Sequence, residues 1–418
     1  MNDKKPLRVL MLTSTLPRWE GDSEPRFVLD LARHLSDEID VEILAPHATG
    51  AARREVLDGI PVTRFRYWIP WWQSVAYEGG ISWRLKENRW RLFQVPFFML
   101  SLAWHTVRRL RRGPPVDIVH AHWIVPQGLV AVLVRGLAGR RVRVVCTSHG
   151  GDLFGLRGKA WTAIKRWVLR RCDAVTVVSN AMADRVREIA PNVEPEVIPM
   201  GTDLRSLFTP PEEPRQPPFN RLIFVGRLVE KKGVKYLLEA MALVRKTHLD
   251  VTLDIVGHGP LRAELEAQAR ALGLEDCVRF VGAVPHAELP DYYRAADIAV
   301  FPFVEAESGD QEGFGLVMVE AMGCGCTVIA SELPAVRDVI LHEQTGISTP
   351  ARGAKTLADA LTQLLAESDG FPDIAKRGVA HAQRRFDWSV TAARFVEAMR
   401  AVAQRDRTAP SPSRRAEL

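Results

Sequence analysis

Short unbroken apolar runs alternate along this chain with stretches of helical periodicity. In the first half the runs are Val9 to Leu12, Val41 to Ala45, Asp117 to His120, Val142 to Thr147 and Ala174 to Val178, with helical patterns such as Phe27 to Leu35 and Gly128 to Leu137 between them. The second half repeats the scheme with Leu222 to Val225, Val251 to Val256, Val278 to Val281, Ile298 to Phe301 and Thr327 to Ala330. Continuous apolar strands alternating with helices predict parallel sheets covered on both faces. The expected fold is therefore α/β, with two doubly wound, Rossmann-like domains and a ligand cleft between them. Phe208 to Asn220 holds five prolines in thirteen residues, which excludes a regular helix or central strand and predicts an interdomain linker. The expected organisation is a first domain over 1–205, a second over 206–385, a final amphipathic helix over 386–404 packing back toward the first domain, and a disordered tail over 405–418.

At 418 residues the chain is long enough for two full cores. Met1 to Pro6 carries two lysines before a short apolar run, which reads as a first strand rather than a signal peptide, and no run approaches the ~20 apolar residues of a spanning helix. Cys146, Cys172, Cys277, Cys324 and Cys326 form no CxxC pair and no metal-ligand spacing, so reduced thiols in the cytoplasm are the simplest reading. The net charge of +6 conceals an asymmetry: residues 1–205 hold 31 Lys+Arg against 21 Asp+Glu, whereas residues 206–418 hold 25 against 29. A basic first half predicts an anionic partner, whether a membrane surface, a lipid diphosphate or nucleic acid.

The most informative chemistry lies in Glu312-Gly-Phe-Gly-Leu-Val-Met-Val-Glu320. Gly313 and Gly315 let the backbone turn and expose its amides, and Leu316 to Met322 reads as a buried helix whose first turn leaves N–H groups open to phosphate. The flanking carboxylates suit hydroxyls of sugar or ribose. In the second domain's first turn, Phe224-Val-Gly-Arg-Leu-Val-Glu-Lys-Lys-Gly233 follows a strand and is expected to open a helix, bringing Gly226, Arg227 and Lys232 to the sheet edge. Two cations there suit a leaving diphosphate without a metal, and the sequence contains no Asp-x-Asp. Val256-Gly-His-Gly-Pro-Leu-Arg262 mimics a dinucleotide fingerprint but has Arg262 in place of the third glycine, so it reads as a tight strand-to-helix turn and weakens a dehydrogenase assignment.

Together, Glu312-x7-Glu320, Gly226-Arg227 with Lys232-Gly233, and Gly257-x-Gly259-Pro260 closely resemble the retaining glycosyltransferases of family 4, which have the GT-B architecture. The resemblance extends to Val197 to Asp203 with Phe208 and to Phe280 to Val284, and covers nearly the whole chain. It implies no cofactor and no metal, with a UDP- or GDP-hexose as co-substrate and a glycan or lipid-linked acceptor. Arg227 and Lys232 are expected on the donor diphosphate, Glu320 on the ribose and Glu312 on the transferred sugar. Gly226, backbone amides of Phe314, Gly315, Leu316 and Val317, and the strand end at Val281 complete the expected donor site. His122, which ends a strand in His120-Ala-His122-Trp123, matches the histidine that the family places near sugar and acceptor. His149 and Asp152 are further acceptor-side candidates. Where family members carry paired glycines near the N-terminus, this chain has Pro17-Arg-Trp-Glu-Gly21-Asp22, so Gly21 alone is left for a phosphate contact and Asp22 is expected to face an acceptor hydroxyl. The resemblance also implies retention by same-face attack, because no carboxylate nucleophile stands out.

Between Arg64 and Arg112 lie twelve aromatics and ten Lys/Arg against only Glu78 and Glu87. Two readings stay open: an interfacial surface on an anionic membrane, placing the protein on its inner face, or aromatic core packing with a solvated basic helix. Nucleic-acid binding is not expected, since no reader module accompanies the charge. A hexosyltransferase, a nucleotide-sugar epimerase of the same architecture and a non-catalytic membrane-associated binding protein are the competing functions.

Overall fold

The computed structural model describes residues 6–22, 24–77, 80–139, 142–213, 215–366 and 371–405, and among these, fourteen β-strands build two sheets, one of eight strands and one of six. The chain divides into two units, Met1–Pro199 with Thr391–Leu418, and Met200–Val390.

In the first unit β1 (Leu7–Leu12), β2 (Ile39–Pro46), β3 (Arg54–Leu57), β4 (Ile60–Phe65), β5 (Ile118–His122), β6 (Arg143–Ser148), β7 (Ala174–Val177) and β8 (Glu196–Val197) run in the order 3-4-2-1-5-6-7-8. Every pairing is parallel except β3 with β4. The apolar runs lie here because β1 and β5 are covered on both faces: Val9 to Leu12 and all of β5 are buried. Helix Phe27–Leu35 closes one face with Val28, Leu29, Leu31, Ala32 and Leu35. Strand order reverses between β1 and β5, so the loops leaving these two strands share one edge of the sheet.

The second unit places β9 (Arg221–Val225), β10 (Thr252–Val256), β11 (Val278–Gly282), β12 (Ile298–Phe301), β13 (Thr327–Ser331) and β14 (Ile347–Thr349) in the all-parallel order 11-10-9-12-13-14. Its reversal falls between β9 and β12. Helix Leu316–Gly323 is buried almost all round, which explains its lack of a polar face.

Two elements differ from the sequence reading. The proline-rich segment falls within the second unit, where Phe208 is buried and the Arg215 guanidinium donates to the carbonyls of Tyr293, Cys324 and Gly325. Helical Gly128 to Leu137 is broken into a wide turn at Ile124–Gly128, helix Leu129–Val134 and a tight turn at Arg135–Ala138. The final helix spans Trp388–Gln404, and from Thr391 on it falls in the first unit. The expected disordered tail lies outside the described residues beyond Arg405. All five cysteines are buried and free, and among the described residues no helix is long and apolar enough to cross a membrane.

Candidate functional site

In an open parallel sheet, ligands bind where strand order reverses, because the two loops leaving there separate. The second unit's reversal gathers the motifs of its half of the sequence. After β9 the chain passes Gly226 and Arg227, both half-buried, and makes a tight turn at Glu230–Lys232 before helix Val234–Val244 begins. Lys232 therefore stands ahead of the helix rather than on it. Gly233 fixes this turn: its φ is 67°, and a Cβ would lie 1.8 Å from the carbonyl oxygen of Pro302, just past β12. Only glycine lets the two strand ends approach this closely.

The loop after β12 is laced to that turn. Val304 N donates to Lys231 O (2.9 Å), Glu307 N to Glu230 Oε1 (2.9 Å), and Lys231 Nζ pairs with Asp310 at 3.3 Å. Lys232 Nζ lies 2.7 Å from Glu312 Oε2 and 4.6 Å from the centre of the Phe303 ring. Burial pushes the Glu312 carboxyl up, but the Lys232 and Lys231 charges outweigh it and hold the carboxyl down at about 2. Glu312 is an ionised, oriented acceptor across the neutral range.

Eight residues on, Glu320 is a buried carboxylate inside an apolar helix, a placement that requires hydrogen-bond donors. It has them: the Tyr293 hydroxyl donates to Oε2 at 3.3 Å, and His286 Nε2 lies 3.2 Å from Oε1. The eight-residue spacing thus separates two environments, one carboxylate facing lysines and one facing a phenol and an imidazole. Phe314 buries its ring against Phe386 at 5.5 Å and leaves only its backbone for a ligand. Helix Leu316–Gly323 starts after a left-handed Gly315, with Leu316 and Val317 half-buried in its first turn. Val281 is half-buried at the end of β11.

The glycine turn after β10 has a packing role. Gly257 has a φ of 133° and a Cβ there would sit 2.0 Å from Gly226 O, so the turn is shaped to let two backbones pass.

In the first unit the reversal brings together the loops after β1 and β5. Gly21 has a φ of 78°. Asp22 is gripped by Arg18, whose Nε and Nη2 each donate at 2.8 Å, so the guanidinium neutralises the carboxylate that the sequence reading assigns to an acceptor hydroxyl. At the end of β5, Trp123 has a φ of 78°, a conformation costing a non-glycine residue about 1–3 kcal/mol, which turns the chain sharply after His122. His122 Nδ1 lies 3.0 Å from His149 Nε2, and the rings stack 5.3 Å apart at 9°. His120 Nε2 meets Thr147 Oγ1 at 2.7 Å. All three imidazoles are held neutral, His120 and His149 at about 3 and His122 well below its ordinary value, first by burial and for His120 and His122 also by their neighbours. Asp152 accepts from Ile124 N (2.5 Å) and Ser148 Oγ (2.7 Å) and is raised by burial despite them. It anchors the turn that follows His122.

The structure thus gathers Gly226, Arg227, Lys232, Glu312 and the Gly315 turn at one sheet edge, and His122, His149 and Asp152 at another. Sequence reasoning missed Phe303, Tyr293, His286 and Arg18. Of these only Arg18, four residues from Asp22, left a local signal.

Residues 25–206 match the model of Glycosyltransferase Family 4, and residues 208–380 match that of Glycosyl transferases group 1. The chain is 36% identical to the phosphatidyl-myo-inositol mannosyltransferase of Mycobacterium leprae over 72% of its own length and 78% of that protein. It is 31% identical to the glycogen synthase of Mycobacterium tuberculosis over 71% of each. Its fold is similar to that of sucrose-phosphate synthase from Thermosynechococcus elongatus, with a TM-score of 0.75, 22% identity, and coverage of 95% of this chain and 99% of that one.

Proposed function

The chain belongs to the family 4, group 1 glycosyltransferases, and from that premise we propose that it transfers a hexosyl group, with retention, from UDP- or GDP-hexose to a lipid-linked or cell-surface glycan. The observation that carries this reading is the Lys232–Glu312 pair at the reversal between β9 and β12. A cation and an ionised carboxylate fixed against each other match the two ends of a sugar diphosphate: Lys232, with Arg227, takes the phosphates and Glu312 the sugar hydroxyls.

In this mechanism Arg227 and Lys232 stabilise the charge that develops on the departing diphosphate, work that needs no metal. The leaving phosphate oxygen accepts the acceptor's proton on the same face, and Glu312 orients the sugar rather than attacking it. Its pairing with Lys232 supports that role, since an ion-paired carboxylate is a poor nucleophile. Glu320, positioned by Tyr293 and His286, holds the ribose, and amides of Phe314 to Val317 close around the phosphates. His122, backed by His149, stands on the acceptor side as a neutral hydrogen-bonding group. The mannosyltransferase relative, named for phosphatidyl-myo-inositol, supports an acceptor carried on lipid and an enzyme working peripherally at the inner membrane face in polysaccharide or glycolipid assembly.

Incubation with nucleotide-hexoses, with and without a glycan acceptor, tests the reading. Acceptor-dependent release of nucleoside diphosphate, abolished in Glu312→Ala, is the expected result. Conversion of the donor sugar without an acceptor assigns an epimerase instead.

A further inference from the structure

The basic, aromatic band between Arg64 and Arg112 is divided by the structure into an inside and an outside. Arg64 is buried, donating to Glu55, Tyr77 and Pro17, and Phe65, Tyr67, Tyr77 and Phe98 join the core. That portion satisfies the core-packing reading. A second set is fully presented: Trp71 is 71% exposed, Trp90 76%, Leu100 68% and Trp104 65%, with Trp72 and Phe97 also exposed. So many large apolar side chains on one short stretch exceed the scattered exposure usual on a soluble surface.

Helix Val95–Arg111 shows how they are ordered. Phe98, Leu102, Thr106 and Leu110 form its buried stripe. Phe97, Leu100, Trp104, Arg108 and Arg111, all exposed, fall on another side within an arc of about 80° at 3.6 residues per turn. The helix is apolar on two faces, and only one is used by the fold. The outer stripe changes from aromatic and aliphatic to guanidinium along its length. The Trp71–Trp72 turn is held to this helix by Gln94, whose Nε2 donates to Trp72 O (2.9 Å) while its Oε1 accepts from Ser74 N (3.2 Å). The exposed tryptophans are therefore presented by a braced scaffold rather than by a loose loop.

Charge selects the occupant. Arg66, Arg89, Arg108, Arg111 and Arg112 are exposed, and the sole acid among the described residues of 64–112, Glu87, is engaged by Arg84 and Arg91. A protein partner or a second copy would meet a uniformly cationic rim, whereas an anionic bilayer supplies an apolar layer under a negative one. We infer that the surface formed by Trp71, Trp72, Trp90, Phe97, Leu100 and Trp104 with Arg108 and Arg111 docks on the interface of an anionic phospholipid membrane. The tryptophan and phenylalanine rings enter at headgroup depth, and the arginines meet lipid phosphates. The inference deepens the transferase reading by naming the surface that brings the enzyme to its acceptor, and rests on that reading only for the acceptor's being carried on lipid.

Vesicle flotation of the full chain tests it, using phosphatidylcholine alone and equal parts of phosphatidylcholine and phosphatidylglycerol. Flotation is expected with the anionic vesicles, weakened by salt. The triple variant Trp71→Ser/Trp90→Ser/Trp104→Ser and, separately, Arg108→Glu/Arg111→Glu should each lower the partition coefficient at least about tenfold, since each cation near an anionic surface is worth about 1 kcal/mol. Thermal unfolding with and without nucleotide-hexose, expected to match wild type in both variants, shows that they are folded and reads the donor site independently. Failure of the wild-type chain to float, or variants that float like it, overturns the surface. So does a wild-type dimer that the triple variant turns into monomer, because the patch is then an interface between copies. Flotation without any nucleotide-hexose shift leaves the surface standing and overturns the transferase reading.

Discussion

Lys232 Nζ and Glu312 Oε2 meet at 2.7 Å across two loops that leave the adjacent strands β9 and β12. Eighty residues separate them in sequence, and the reversal of strand order is what brings them together. Both side chains are largely buried, so each depends on the other for charge compensation. Lys232→Met is expected to lower kcat by ~10²-fold or more, the usual cost of removing one preorganised charge at a leaving group. Glu312→Gln, in contrast, should act on kcat/KM by about 10- to 100-fold through sugar positioning. In a double-mutant cycle on urea unfolding, the pair should show a coupling of about 0.5–3 kcal/mol.

The same pair sets an acid limit. Glu312 is held at about 2 in the folded protein, against about 4.3 in an unfolded chain. Its contribution is full above pH ~4.3 and is lost as the pH falls toward 2, because over that window the unfolded chain takes up a proton that the folded one refuses. The stability difference between wild type and Glu312→Gln should therefore be constant from pH 5 to 8 and shrink below pH ~4, as followed by chemical denaturation.

The buried imidazoles add a second dependence with its own window. His120 and His149 are held at about 3 and His122 well below its ordinary value, whereas an unfolded histidine titrates near 6.5. Between about 6.5 and 3 the unfolded chain binds protons that the folded one refuses, so stability falls as pH falls, by up to ~1.4 kcal/mol per pH unit for each group. His149→Gln should flatten that slope by about one proton. Activity above pH 6.5 should show no inflection from His122.

Gly233 and Gly273 share a φ of 67° but differ in surroundings: a Cβ on Gly233 meets Pro302 O at 1.8 Å, whereas one on Gly273 meets nothing within 4 Å. Gly273→Ala should cost about 1 kcal/mol from backbone strain alone. Gly233→Ala should cost at least ~2 kcal/mol more and weaken nucleoside diphosphate binding, because the turn that presents Lys232 has to move. Unfolding and calorimetric titration separate the two effects.

Tyr293→Phe removes one donor from Glu320 without changing volume. With the carboxylate less well fixed, the Kd for nucleoside diphosphate is expected to rise about 3- to 10-fold, the worth of one ordinary hydrogen bond, with little change in kcat. Isothermal titration and steady-state kinetics measure the two quantities.

Much of the fold was legible because each central strand is apolar on both faces: Val9 to Leu12, Leu222 to Val225 and Ile298 to Phe301 are readable without any tertiary knowledge. The loop motifs of the second unit were legible for a related reason, since Gly226, Gly233, Glu312 and Gly315 follow strand ends or open a helix, where local sequence dictates backbone shape. What the sequence concealed was partnership over distance. Nothing near Glu320 announces Tyr293 or His286, and nothing near Lys232 announces Phe303; these contacts exist only once the sheet is assembled. The charge on Arg64 was visible, but not that it is spent inside on Glu55 while Arg108 and Arg111 face outward.

Hydrogen–deuterium exchange of the whole chain, with and without saturating UDP-hexose or GDP-hexose, reports on donor binding at the Lys232–Glu312 edge. One of these donors is expected to slow exchange in Gly226–Val234 and in Glu312–Val319 together, and Lys232→Met to remove the protection in both segments. Protection confined to other segments, or none with any nucleotide-hexose, would contradict the assignment of the Lys232–Glu312 edge as the donor site.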